Sequence, residues 1–120
     1  SLEYIGPNAF RNCVNLEEVI FTSSSTPVVI AENAFYSCSA LKSITFEENI
    51  YAIGENAFGG CDELTTIYMN GDEPPQVNQP FEINEGLKIY VNRSVDDLIV
   101  EKYKNEWPLY EDYIYPKPLS

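Results

Sequence analysis

The fold is decided by residues 53–64, which read IGENAFGGCDEL and repeat a pattern that occurs twice earlier in the chain. Residues 5–16 read IGPNAFRNCVNL, and residues 30–41 read IAENAFYSCSAL. The phenylalanine recurs at positions 10, 35 and 58, so the steps are 25 and 23 residues. The two additional residues of the first step fall in the polar stretch 22–27, which is typical of a loop. Self-similarity at such a period predicts a solenoid, in which each repeat forms one rung.

Each repeat continues into a short segment in which apolar and polar residues alternate. The first of these, residues 16–21, directs Leu16, Val19 and Phe21 inward. A segment of this length is too short to be stable as an isolated strand. Stacked about 4.8 Å from the next rung, its backbone groups find partners and equivalent residues form columns. Because all rungs run in the same direction, the sequence predicts parallel strands.

A fourth phenylalanine, Phe81, follows Phe58 after another 23 residues, but the pattern then decays. Asn84 stands in the cysteine position, and the alternation of the following segment shifts by one residue. A terminal rung is expected to degenerate because one of its faces has no neighbouring rung. We therefore predict three repeats over 1–69, and a degenerate fourth repeat with a C-terminal cap over 70–120, in one continuous domain. The internal spine is expected to consist of Phe10, Phe35, Phe58 and Phe81.

An asparagine precedes each of the first three Ala-Phe pairs, at Asn8, Asn33 and Asn56. Asparagine in this position either caps a one-turn helix or takes a left-handed backbone conformation. A hydrogen-bonded ladder of asparagine side chains between rungs is a further interpretation, less favoured because capping is the commoner use.

The repeated Ala-Phe-x-x-Cys-x-x-Leu resembles the unit of the BspA-type leucine-rich repeat family. The resemblance covers three rungs, and the remaining residues resemble the closing segment of that family, except that Asn92 stands where proline is frequent. It implies a leucine-rich repeat solenoid with short parallel β-strands on one face, short helical turns or loops on the other, and a C-terminal cap with one short helix. It also implies a bacterial or protist surface or secreted protein that engages host or matrix proteins, as in adhesion.

Residues 94–107 are predicted to form the helix of the cap. Ser94 with Asp97 three residues later suggests a capping box, and Trp107 before Pro108 should end the helix. We expect the apolar face to plug the open end of the solenoid, while a partner-binding helix is the less favoured alternative. The residues predicted to share this face are Val95, Leu98, Ile99 and Tyr103.

The two ends of the chain differ in sequence. The tail, residues 110–116, carries Tyr110, Tyr113, Ile114 and Tyr115 and is expected to pack along the last rung. No matching cap precedes Ile5, so we expect further repeats upstream in the natural protein. In the isolated chain, the exposed first rung is expected to self-associate through its edge strands.

Composition narrows the classes of function. The chain has 120 residues, of which 44% are hydrophobic, enough for one core. Its formal net charge is −12, which argues against nucleic acid and anionic membrane surfaces as partners and leaves cationic partners or a calcium ion open. No apolar run approaches the roughly 20 residues of a membrane span, and no signal-peptide pattern opens the chain.

Catalytic chemistry has little support. The chain has no histidine, which removes the commonest general base and metal ligand. Cys13, Cys38 and Cys61 share the repeat period, so a buried structural column is favoured over a metal cluster or a reactive thiolate. The carboxylate pairs Glu17-Glu18, Glu47-Glu48 and Asp96-Asp97 are interpreted as solvated surface groups. We expect no enzyme activity, no cofactor and no metal.

Two further motifs have a plain and a functional interpretation. Residues 70–73 offer oxygen ligands for calcium but lack the alternating acidic positions of a known calcium loop, so an ordinary turn is favoured. Asn92-Arg93-Ser94 matches a glycosylation sequon, which would be silent in a bacterial protein and is common by chance.

The best candidate for a functional surface is the outward side of the strands. Leucine-rich repeat proteins often bind partners there, although an idle sheet face rich in strand-forming residues is a comparably good interpretation. The candidate binding residues are Glu18, Ile20, Ser43, Thr45, Thr66, Tyr68, Lys88 and Tyr90. The favoured function is a non-catalytic interaction module of an extracellular or cell-surface protein that binds protein or glycan. The alternative is an architectural segment that presents another domain.

Overall fold

The computed structural model describes residues 3–22, 26–47 and 50–118. Most of the polar loop predicted before Pro27, together with Glu48, lies outside these ranges. The strands are β1 (Glu3–Ile5), β2 (Glu18–Phe21), β3 (Val28–Ile30), β4 (Ser43–Phe46), β5 (Ile50–Ile53), β6 (Thr66–Met69), β7 (Gln76–Val77), β8 (Lys88–Val91) and β9 (Ile114–Pro116). Helix α1 (Leu98–Glu106) lies between two 3-10 helices, Val95–Asp97 and Pro108–Tyr113.

The strands form two parallel sheets, one strand of each sheet per rung. Sheet I contains β1, β3, β5 and β7 in that order, and sheet II contains β2, β4, β6, β8 and β9. Sheet II is the sheet expected from the alternating segments, and its parallel pairing confirms the predicted solenoid. Sheet I was not predicted, because the sequence indicated only helical turns or loops on the side of the solenoid away from sheet II.

The phenylalanine spine is present. The ring centroids of Phe10 and Phe35 lie 5.0 Å apart, those of Phe35 and Phe58 5.0 Å apart, and those of Phe58 and Phe81 5.6 Å apart. All three pairs are stacked, because each rung presents its phenylalanine at the same place. The backbone reinforces the column, since the Phe10 N–H donates to the Ala34 carbonyl of the next rung at 2.7 Å. Equal positions in successive rungs therefore lie directly over one another.

The asparagines before the spine adopt the left-handed conformation rather than capping a helix. The φ angles of Asn8, Asn33 and Asn56 are 61°, 57° and 55°. Asparagine tolerates this region better than other residues with a Cβ atom. The turn directs each backbone N–H toward the next rung, where the Asn33 N–H donates to the Glu55 carbonyl at 3.1 Å. These rungs are thus joined here by backbone hydrogen bonds.

The cap contains the predicted helix, but its start and part of its buried face were predicted wrongly. Asp96 and Asp97 both have a φ of 56°, so the chain turns left-handed just before α1 and no capping box forms. The Ser94 hydroxyl instead accepts a hydrogen bond from the Ile99 N–H at 2.9 Å. The helix ends at Glu106, as the following Trp-Pro pair predicted.

The left-handed turn rotates the helix relative to the expected phase. Val95 and Leu98, predicted to face the core, are 78% and 65% exposed. Tyr103 is buried as predicted and Ile99 packs partly against the core, while the rest of the buried face is supplied by Val100 and Trp107. The helix and its flanking segment do cover the last rung, as expected, but through these side chains.

The tail completes the cap. Strand β9 runs parallel to β8 and pairs Ile114 with Ile89, which confirms that the tail packs along the last rung. Before it, the Tyr110 hydroxyl accepts a hydrogen bond from the Phe81 N–H at 3.1 Å and donates one to the Phe81 carbonyl at 2.7 Å. The Trp107 indole N–H donates to the Pro75 carbonyl at 3.1 Å. Aromatic side chains thus take over hydrogen bonds that a further rung would supply.

Candidate functional site: the outward face of sheet II

Alternation along sheet II separates a buried side from an outward side. The inward residues Ile44, Ile67 and Ile89 are all fully buried. The predicted binding residues all lie on the outward side, where the strand register aligns them in two rows. The first row is Glu18, Ser43, Thr66 and Lys88, and the second is Ile20, Thr45, Tyr68 and Tyr90. We call these eight residues, together with Tyr115, the strand face.

Tyr115 extends the second row because β9 pairs it directly with Tyr90. Sequence reasoning assigned it to the tail and did not include it among the binding residues. A signal for it was present, since Tyr115 follows the inward Ile114 just as Tyr90 follows the inward Ile89. Recognising it required knowing that the tail adds a parallel strand in this register.

Three tyrosines of the second row touch one another. The ring centroids of Tyr68 and Tyr90 are 5.4 Å apart with the ring planes stacked, and those of Tyr90 and Tyr115 are 6.5 Å apart and tilted. The Lys88 ammonium lies 5.6 Å from the centroid of the Tyr115 ring, within the range of a cation–π contact. Tyr68 and Tyr90 are half-buried, and Tyr115 remains 42% exposed.

Charge on the strand face is confined to its ends. Glu18 lies in the first rung and Lys88 in the fourth, while the first-row positions between them are serine and threonine. The central part of the face is therefore uncharged, although the chain carries a net charge of −12. Interface cores in proteins are typically depleted of charged residues and enriched in tyrosine.

The cysteines form the structural column that their period predicts. The Cys38 thiol donates to the Phe10 carbonyl at 3.2 Å, and the Cys61 thiol donates to the Phe35 carbonyl at 3.4 Å. All three cysteines are unpaired, and Cys13 in the first rung is only partly buried. Burial raises the pKa of the Cys38 thiol and raises that of Cys61 to about 12. At neutral pH both remain thiols, which are poor nucleophiles and poor metal ligands.

The fourth rung replaces the thiol with an amide. The Asn84 side-chain N–H₂ donates to the carbonyls of Cys61 and Leu64, both at 3.2 Å. The amide thus still ties its rung to the preceding one, as the thiols do. This substitution explains how the cysteine position is lost at the last rung without losing the connection.

The turn at residues 70–73 is held by donors from the cap and the last strand. The Asn92 side-chain N–H₂ donates to the Asn70 carbonyl at 2.7 Å and to the Asp72 carboxylate at 2.8 Å. The Tyr103 hydroxyl donates to the Gly71 carbonyl at 2.6 Å. The main-chain oxygens of Asn70 and Gly71 and one carboxylate oxygen of Asp72 are therefore bonded to protein groups, whereas the buried side-chain oxygen of Asn70 has no hydrogen-bond partner among the described residues. The sequon amide of Asn92 is engaged in the same contacts.

The remaining candidate carboxylates among the described residues are exposed, except that Glu47 is half-buried. Glu17, Glu18, Asp96 and Asp97 are exposed, and the Glu17 carboxylate lies 3.9 Å from the Lys42 ammonium. Within residues 3–22, 26–47 and 50–118, no three His, Cys, Asp or Glu side chains are placed to hold a metal ion. In the same ranges, no helix is long and apolar enough to cross a membrane.

The stacked rungs, the phenylalanine spine and the outward strand face define a leucine-rich-type solenoid. A family model described as BspA type Leucine rich repeat region (6 copies) matches residues 1–94, and the chain belongs to this family. No curated protein is similar enough to match the chain. Membership supports a repeat module that serves in protein interaction or in architecture, of a kind typically associated with the cell surface.

Proposed function

We propose that this chain is a non-catalytic interaction module of a surface-exposed or secreted bacterial protein, and that it binds protein or glycan through the strand face. The observation that carries the proposal is the continuous row of Tyr68, Tyr90 and Tyr115, three aromatic side chains in contact on an outward surface. Tyrosine offers large contact area and a hydroxyl for hydrogen bonding at a small cost in side-chain entropy.

The packing of the row strengthens this interpretation. Tyr90 is held between Tyr68 on one side and Tyr115 on the other, so its orientation is largely fixed before any partner arrives. A surface that is ordered in advance loses less conformational entropy on binding. The uncharged middle of the face also avoids the cost of removing water from ionised groups.

The chemistry of the remaining residues is consistent with binding rather than catalysis. The chain has no histidine, and burial keeps the thiols of Cys38 and Cys61 protonated at neutral pH. These two thiols are therefore not activated as nucleophiles.

The test compares the wild type with the double variant Tyr68→Ser/Tyr90→Ser on a glycan array and on immobilised extracellular-matrix proteins. If the face binds, affinity should fall by roughly thirtyfold or more, as at interface hot spots. The matched control is Tyr4→Ser, which removes an exposed tyrosine from sheet I and should leave binding intact. Urea unfolding checks that all three proteins remain folded.

The architectural alternative makes the opposite prediction. If both wild type and double variant bind nothing, or bind equally, the strand face has no binding role and the module serves as a spacer or support. Equal losses in the double variant and in Tyr4→Ser would indicate non-specific adhesion of exposed aromatic rings, which also contradicts the proposal.

A further inference from the structure

A cleft of about 390 Å³ opens beside the solenoid, away from the strand face. It lies where the chain leaves the sheet II strands β4 and β6 and returns toward sheet I, and Tyr103 of the cap helix closes one side. Its volume falls within the range of pockets that bind small molecules or single side chains. None of the residues that line the cleft belongs to the strand face.

The walls of the cleft are apolar and aromatic. Ile50, Met69, Pro75 and Tyr103 contribute buried or half-buried surface. Tyr51 also lines it and is 49% exposed, so part of its side chain is accessible to an incoming group. Such walls suit the aliphatic stem of a long side chain, and an accessible aromatic face suits a planar cation.

Acidic groups line the same cleft. Glu47, Asp72 and Glu73 all contribute to it, from two successive rungs. Their effect is visible at Tyr103, whose pKa is raised mainly by burial and further by the charges of Asp72 and Glu73. The chain as a whole carries a net charge of −12, which also attracts cations toward the surface.

Backbone oxygens add acceptors to the cleft. A Cβ atom placed on Gly71 would lie 3.9 Å from the carbonyl oxygens of both Glu47 and Glu73. Because this residue has no side chain, those carbonyls are not covered at that point. The cleft therefore combines charged and neutral oxygen acceptors with apolar walls.

The protein places one of its own ammonium groups beside a lining carboxylate. The Lys102 ammonium, from the cap helix, lies 2.6 Å from the Glu73 carboxylate, in a pair whose side chains are both substantially exposed. An intramolecular ammonium thus occupies one carboxylate, while Glu47 is contributed by a different rung. The described part of the chain brings no three metal-ligating side chains together.

We propose that this cleft binds an arginine side chain of a partner protein. The guanidinium would be bound by the Glu47 carboxylate and by the second carboxylate oxygen of Asp72, whose other oxygen accepts from Asn92. Its plane would stack on Tyr51, and its stem would lie along the apolar wall. Arginine fits better than lysine because its planar group both donates several hydrogen bonds and stacks on an aromatic ring. This second binding site is independent of the proposed function of the strand face.

The test is an NMR titration with N-acetyl-arginine amide, using N-acetyl-citrulline amide as a control of the same shape without the charge. The arginine compound should shift the backbone signals of Tyr51 and Gly71 at millimolar concentrations, and the citrulline compound should not. The peptide acetyl-Gly-Arg-Gly-amide should bind at least as well, since a partner presents arginine within a chain.

Two variants and a control locate the site. Glu47→Gln should weaken binding roughly tenfold, the scale of one lost charged hydrogen bond, whereas Glu63→Gln, an exposed acid on another turn, should have no effect. Lys102→Gln should strengthen binding, because it removes the competing ammonium from Glu73. Glu63 and Lys102 are exposed and Glu47 is half-buried, and glutamine has nearly the size of glutamate, so each variant is expected to fold.

Several results would overturn the proposal. Equal shifts with the citrulline compound would mean that charge is not recognised. Binding of N-acetyl-arginine amide but not of the acetyl-Gly-Arg-Gly-amide peptide would limit the site to free small cations. Shifts of the same signals by calcium chloride without any by arginine would make it a metal site. An unchanged affinity in Glu47→Gln would place the arginine elsewhere.

Discussion

The two ends of the solenoid contain the same phenylalanine in the same kind of rung, yet its environment differs. Phe10 in the first rung is 44% exposed, whereas Phe81 in the fourth is 4% exposed. Each stacks on only one neighbouring phenylalanine. The difference comes from the cap, whose Trp107 and Tyr110 rings pack against Phe81.

The cap supplies hydrogen bonds like those between rungs, although its sequence does not follow the repeat. Within the solenoid, the Phe58 N–H donates to the backbone carbonyl of Pro80 in the next rung. At the covered end, the Phe81 N–H donates to the hydroxyl of Tyr110 instead. A side chain has thus replaced a backbone acceptor, which shows that ending a solenoid requires partners for its exposed backbone as well as cover for its apolar side chains.

The largest effect is expected from truncating the spine at either end. Phe81→Ala should destabilise the fold by about 3–5 kcal/mol, the cost of removing a buried aromatic ring, whereas Phe10→Ala should cost less than half as much. Urea unfolding followed by circular dichroism measures both. If both variants lost the same free energy of unfolding, the cap would not be the cause of the difference between Phe10 and Phe81.

A smaller effect is expected from removing only the hydroxyl of Tyr110. Tyr110→Phe keeps the ring but leaves the N–H and carbonyl of Phe81 without that partner, so it should cost about 1–3 kcal/mol. Tyr113→Phe, a half-buried tyrosine in the same segment, is the control and should be nearly neutral. If the two variants unfold at the same urea concentration, the backbone role of the hydroxyl is wrong.

Alkaline pH should weaken the covered rungs. Burial raises the pKa of Cys61 from 9.0 to about 12, so the unfolded thiol ionises near pH 9 while the folded one keeps its proton. The stability that this thiol contributes is therefore complete below pH 9 and is lost as the pH rises toward 12. Urea midpoints measured from pH 8 to pH 11 should fall, and they should fall less in Cys61→Ala. An equal decline in that variant would exclude the thiol as a cause.

The smallest effect concerns the open end. We propose that the isolated chain self-associates weakly through the first rung, where β1 and β2 are sheet edges and Phe10 is exposed. Light scattering should show a mass that rises with concentration, and Tyr4→Lys, which places a charge on β1, should reduce the rise. A constant monomer mass at high concentration would refute the association.

The regular part of the fold was predictable because it depends on period alone. Once Phe35 and Phe58 are aligned, the inward positions of sheet II, such as Ile44 and Ile67, follow from their fixed distance along the chain. The outward positions of the strand face follow from the same alternation. Because similar repeats stack directly on one another, the position of a residue within its repeat determines its position in the structure.

Sheet I was missed although its first three strands end at the repeated isoleucines Ile5, Ile30 and Ile53, because the residues before them show no shared alternation. Strand β3 is the uniformly apolar run Val28–Ile30, and the register between Val28 and Val29 shifts where β3 pairs with β5. A run this short without alternation is indistinguishable from a buried turn in the sequence. Pairing with neighbouring rungs, rather than local preference, makes these residues strands.

The buried face of α1 was predicted only in part, for a different reason. Sequence reasoning assumed one continuous helix from Ser94, but Asp96 and Asp97 adopt left-handed angles that interrupt it. Aspartate visits this region more readily than most residues, yet nothing in the sequence requires it to do so. The helix is positioned by the packing of Tyr103 and Trp107 over the last rung. This tertiary contact cannot be read from the local spacing of apolar residues.

The thiol column has a consequence for the length of the molecule. Cys38 and Cys61 each bond backward to the phenylalanine carbonyl of the rung before, so every junction between full repeats uses the same donor and the same acceptor. Excising or duplicating one complete unit would leave chemically matched surfaces to rejoin. The solenoid can therefore be lengthened or shortened by whole repeats, during evolution or by design. The cap still packs on the same final rung in each case.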